Sequence, residues 1–163
     1  MTRFRTLLAP GQGATPKEDQ DHASRGLADA VSQSHLHWWK KRDANVNQGS
    51  YLLLAVAPYS QYDLALLDVI DERLGSNPSP SARIYVVNLM DYENEERLES
   101  DFPGIGRVHQ TPIATLWESG KPKKSACGKQ ARDLAAEALG VSGDYLYQRI
   151  VAESPRLRGS ANR

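Results

Sequence analysis

The feature that most constrains this chain is the run Tyr51-Leu52-Leu53-Leu54-Ala55-Val56-Ala57. A strand with one wet face alternates apolar and polar residues. An unbroken apolar run of this length therefore predicts a strand buried on both faces, as in a parallel or mixed sheet. It is far short of the roughly 20 residues a membrane-spanning helix needs. Downstream, Leu64, Leu67, Ile70 and Leu74 fall at helical spacing, so Tyr62–Leu74 reads as an amphipathic helix. Gly75–Ser81, with Pro78 and Pro80, reads as a loop. Arg83–Met90, with Ile84, Tyr85, Val86 and Val87, reads as a second buried strand. A strand, a helix and a strand in that order form a right-handed parallel crossover.

The rest of the chain adds to this unit. Asn94–Ser100 reads as a short charged helix. Ile113–Glu118 and Lys121–Cys127 read as a hairpin turning at Ser119-Gly120. Gln130–Leu139 is a helix stopped by Gly140, and Gly143–Glu153 a final one. Upstream, Phe4–Leu8 reads as a short strand. Leu27, Ala30, Val31, Ser34 and Trp38 line one face of a helix over Ala23–Asp43, and Asn45–Ser50 reads as a turn. The predicted fold is α/β, a central mixed sheet with helices on both faces plus an N-terminal helix. Residues 1–24 are expected to be a flexible leader, 25–153 one domain with its core over 51–140, and 154–163 a flexible tail.

The 163 residues carry 20 Lys plus Arg against 20 Asp plus Glu. Zero net charge argues against a nucleic-acid partner, which calls for excess positive charge. Arg3 and Arg5 are followed by only Leu7, Leu8 and Ala9, too short an apolar stretch for a secretory signal. The expected location is cytoplasmic, with no membrane partner. The single cysteine, Cys127, excludes an internal disulfide and a two-cysteine redox centre.

Thr111-Pro112-Ile113-Ala114-Thr115-Leu116-Trp117-Glu118-Ser119-Gly120, with Gly128 eight residues after Gly120 as Gly120 is eight after Pro112, resembles the thioredoxin family's stretch from cis-proline through the hairpin glycine. Val108 stands where the family has an apolar residue four before the proline. Tyr51–Leu74 resembles the strand and helix that carry the redox motif. The resemblance covers about residues 51–140 and implies a thioredoxin-like fold with a cis Thr111–Pro112 bond. It also implies a peptide-binding face built from Tyr59, Ser60, Gln61, Tyr62 and Asp63, from Gln110, Thr111 and Pro112, and from Cys127 and Gly128.

The chemistry of that family does not carry over. Tyr59-Ser60-Gln61-Tyr62-Asp63 lies on the Trp-Cys-x-x-Cys motif, and the two cysteine positions become Ser60 and Asp63. Neither can supply the thiolate that thiol–disulfide exchange requires. The acid that many members bury in the preceding strand is replaced by Leu54. The chain is thus expected to be a redox-inactive protein-binding module, acting as an adaptor, assembly factor or chaperone-type subunit on a protein or peptide partner, with no cofactor and no metal. The alternative is a monothiol or glutathione-dependent enzyme using Cys127 or Ser60.

Each candidate also has a plainer role. Tyr59 and Tyr62 can cap the helix and cover the core. Ser60 can be the helix N-cap. Cys127, with Lys123, Lys124 and Lys129 nearby, can be a reactive thiol or a small buried apolar residue. His35-Leu36-His37-Trp38-Trp39-Lys40-Lys41-Arg42 reads as an amphipathic helix end, where histidines two apart diverge and form no ready chelate. Asp91 and the acids of 93–99 read as a solvated face.

Overall fold

The computed structural model describes residues 3–8, 16–39, 49–77, 79–106 and 110–153. The turn expected over Asn45–Ser50 lies outside them up to residue 48. So do Val108, Lys40–Arg42, residues 9–15 of the expected leader and the tail beyond Glu153. The elements are α1 (Pro16–Ser32), β1 (His37–Trp38), β2 (Ser50–Val56), α2 (Gln61–Ser76), β3 (Arg83–Asn88), α3 (Glu95–Asp101), β4 (Ile113–Glu118), β5 (Lys121–Cys127), α4 (Lys129–Leu139) and α5 (Gly143–Glu153).

Together they form a mixed α/β fold around one five-stranded sheet of order β1-β3-β2-β4-β5. The apolar run is the middle strand, β2. It pairs in parallel with β3 (Leu54 beside Val86) and antiparallel with β4 (Leu54 beside Ala114). Neighbours on both sides and layers on both faces explain why it carries no polar alternation. β4 and β5 form the predicted hairpin, with a register shift at Leu116/Trp117. Ser119 and Gly120 both have positive φ, at 51° and 78°. That pair of angles is the two-residue turn whose twist matches the strands it joins.

The two sheet faces are covered unequally. Leu52, Leu54, Val56, Ile84 and Val86 meet α1, α2, α4 and α5 in the main core. The other face carries Tyr51, Leu53, Ala55, Tyr85 and Val87, and among the described residues α3 is the helix that reaches it, through Leu98. Aromatic rings supply much of the remaining cover: Trp39 and Trp117 stack on Tyr51 at 5.5 and 6.2 Å.

Four sequence expectations are corrected. Phe4–Leu8 is not a strand: Arg5–Leu8 is a 3-10 turn. The first helix runs over Pro16–Ser32, not Ala23–Asp43. Pro16 opens it at the position where a missing N–H costs nothing. Residues 37–38 leave the helical pattern because their backbone pairs with β3 at Tyr85 and Val86, and the Trp39 N–H bonds Val86 C=O at 2.9 Å. His35 therefore precedes an edge strand and His37 begins it, in place of the expected helix end. Within the expected leader, Phe4 and Ala23 are fully buried. Finally, α2 is buried all round from Asp63 to Asp71 rather than amphipathic.

The acids of α2 tolerate burial because they bond backbone N–H groups that no helix or strand uses. Asp68 accepts from the Phe4 and Arg5 N–H groups at 2.9 and 3.0 Å and from Arg5 Nε at 2.9 Å. Asp71 accepts from the His35 N–H at 2.8 Å. No helix among the described residues is long and apolar enough to cross a membrane.

Candidate functional site

β2 ends at Val56, and the chain turns through Ala57–Ser60 into α2. Ser60 has extended backbone angles, and its Oγ accepts the Asp63 N–H at 3.2 Å, so it is the N-cap. Asp63 then sits in the first turn, fully buried. Its Oδ2 accepts the Ala57 N–H at 2.9 Å, and Oδ1 lacks a well-formed hydrogen bond. Burial pushes the carboxyl up from 3.8 to about 6, against the opposing pull of the Ala57 N–H and of the Thr111 and Ser60 hydroxyls. One carboxylate thus joins the end of β2, the start of α2 and the loop before β4.

That loop contains the cis bond Thr111–Pro112. Pro112 is buried, and its carbonyl accepts the Gly128 N–H at 2.8 Å, tying the loop to the start of α4. Gly128 has φ 60° and ψ −129°, and a Cβ there would run into the Gln110 side chain. Gly128→Ala is therefore expected to cost on the order of 1–3 kcal/mol. Urea unfolding measures this. Because the backbone angle itself is at fault, adding Gln110→Ala should recover only part of the loss. Full recovery would place the whole cost in the collision.

Cys127 pairs with Ile113, is half-buried and packs on the second core. Tyr62 is also half-buried. Its hydroxyl accepts from Nη1 of the buried Arg132 at 3.2 Å, and Arg132 lies 5.0 Å over the Tyr147 ring. Burial raises the Tyr62 pKa against the opposing effect of Arg132. Tyr62 is thus engaged within the fold, whereas Tyr59 is 46% exposed.

Comparison with protein-family models, with curated proteins and with solved structures finds no match.

The sheet register places the sequence-predicted residues at one end of the molecule. Tyr59–Asp63 follow the carboxyl end of β2. Gln110–Pro112 precede Ile113, which pairs with Ala55 near that end, and Cys127 lies beside Ile113. The same register adds a residue that sequence reasoning missed. Met90 follows β3, whose Asn88 pairs with Val56, and it is 60% exposed. Tyr59 and Met90 are the exposed large apolar side chains among the described residues, and both lie at this end. Met90 reads from the sequence as the last residue of a buried strand. Its exposure follows from Asn88, whose side chain accepts the Met90 N–H at 2.9 Å and starts a 3-10 turn there.

Among the described residues no three His, Cys, Asp or Glu side chains group as metal ligands.

Proposed function

We propose that the chain is a thioredoxin-like protein-binding module without dithiol chemistry, which takes a protein or peptide segment at the sheet end marked by Tyr59, Met90 and Thr111–Pro112. One observation carries this reading: the exposed large apolar side chains of the described residues, Tyr59 and Met90, follow strand ends on the side of the sheet where the cis-proline loop enters β4. Apolar and aromatic anchors of that kind dominate protein interfaces. The strand order, the cis bond and the contact between Gly128 and Pro112 support the thioredoxin-like assignment. Ser60 and Asp63 serve as cap and buried tie, which supports a binding role rather than an exchange role. The alternative remains a monothiol or glutathione-dependent enzyme using Cys127 or Ser60, whose oxygen also caps α2.

A photo-reactive residue at position 59 would capture the partner from cells, and titration of the purified partner would then test the anchors. Tyr59→Ala and Met90→Ala should each weaken binding by about 1–2 kcal/mol and leave the melting temperature unchanged. Tyr62→Ala should instead lower the melting temperature, because it removes the hydroxyl that the buried Arg132 bonds. Unchanged affinity in both exposed variants would sink the proposal, as would insulin reduction above that of the reductant alone.

A further inference from the structure

A cavity of about 470 Å³ opens at the other end of the sheet. Arg83 begins β3 and pairs with Tyr51, at the opposite strand end from Val56 and Ile113, so this cavity is separate from the proline loop. Its volume falls in the range of small-molecule sites. We propose that it binds a phosphate monoester, with the phosphate held by Arg83, His35, His37 and Ser79, and the organic part resting on Leu74 and Ile84.

Charge is the first argument. Arg83 lines the cavity, and no carboxylate of the described residues forms an ion pair with it. A guanidinium in that setting presents a donor fork suited to an oxyanion. Asp71, the acid bonded to the lining residue His35, is covered. It is 1% exposed, lies outside the cavity wall, and is occupied by the His35 N–H and ring and by Arg3 at 3.6 Å.

The histidines supply the second argument. Asp71 accepts from His35 Nδ1 at 2.9 Å, which fixes the proton on that nitrogen and leaves Nε2 for a ligand. The His37 ring packs on Tyr85 at 5.3 Å, and burial, together with the nearby Arg83, lowers its pKa. A neutral imidazole offers one acceptor nitrogen beside its one N–H donor. A phosphate monoester has its second pKa near 6, so it can offer a P–OH to an imidazole while its charged oxygens take Arg83 and the Ser79 hydroxyl. A carboxylate, with two oxygens in one plane, satisfies fewer of these groups.

The test uses phenyl phosphate, inorganic phosphate and benzoate, read by the imidazole NMR signals of the intact protein, assigned with His35→Gln and His37→Gln. Phenyl phosphate should shift both rings saturably and bind several-fold more tightly than either of the others. Arg83→Ala should weaken it about tenfold or more, and Arg83→Lys less. Arg83 is exposed, so its variants should melt with the wild type. Absence of a saturable shift, benzoate binding as well as phenyl phosphate, or full affinity in Arg83→Ala would each overturn the assignment.

Discussion

Replacing Phe4 by Ala is expected to lower the unfolding free energy by about 3–5 kcal/mol, the usual cost of emptying a buried aromatic site. Phe4 is fully buried in the main core. Its position depends on Asp68, which bonds the N–H groups of Phe4 and Arg5 and the Arg5 side chain. For a domain of this size the loss corresponds to a drop in melting temperature of roughly 10 °C. Urea and thermal unfolding of Phe4→Ala measure it directly. A cost below about 1 kcal/mol, ordinary for a surface substitution, would mean that the Arg3–Leu8 segment does not belong to the core.

Asp63→Asn should act in the opposite direction, stabilising the protein by about 3 kcal/mol at pH 7.5. The figure is the free-energy equivalent of raising the carboxyl from 3.8 to about 6. Above pH 6 Asp63 is ionised whether the chain is folded or not, and folding bears the whole cost of burying the charge. Between pH 6 and pH 4 the folded protein holds the proton that the unfolded chain releases, so this group's contribution to stability rises as pH falls. Below that window both states are protonated and the cost has gone. Asparagine carries no charge at any pH and keeps an oxygen for the Ala57 N–H. Its advantage over wild type should therefore be full above pH 6 and shrink toward zero by about pH 4. Denaturant unfolding of both proteins across that range gives the difference. A constant difference, or one that grows on acidification, would contradict this account of Asp63. Burial raises Asp68 in the same sense, but it is common to both proteins and drops out of the difference.

Local chemistry made much of the fold legible. The run at 51–57, the Ser119-Gly120 turn, the Gly140 stop and the residues of β4, β5 and α5 depend on neighbours in sequence, and they stand within one residue of where they were read. What was not legible depends on distant partners. β1 is two residues long and exists only because β3 lies beside it. The burial of Asp68 and Asp71 is not legible because nothing near them in sequence announces that Phe4, Arg5 and His35 will bring N–H groups to them. The candidate site divides in the same way. Thr111–Pro112 and Gly128 could be named through the resemblance to the thioredoxin stretch, whereas Met90 required knowing that Asn88 ends β3 level with Val56. Asp63 was named for its motif position, whereas its burial and its bond to the Ala57 N–H emerge only in the fold.

The strand order has one more consequence, for the company this sheet can keep. Its two rims are β1 and β5. An open rim with free N–H and C=O groups invites another chain to add a strand and, repeated, to grow a fibril. Here one rim is two residues long, and the other carries exposed Lys121, Lys123 and Lys124 around Pro122, which has no N–H to offer. Neither rim makes a good template, so concentrated solutions should resist edge-to-edge growth even with the Tyr59–Met90 end uncovered.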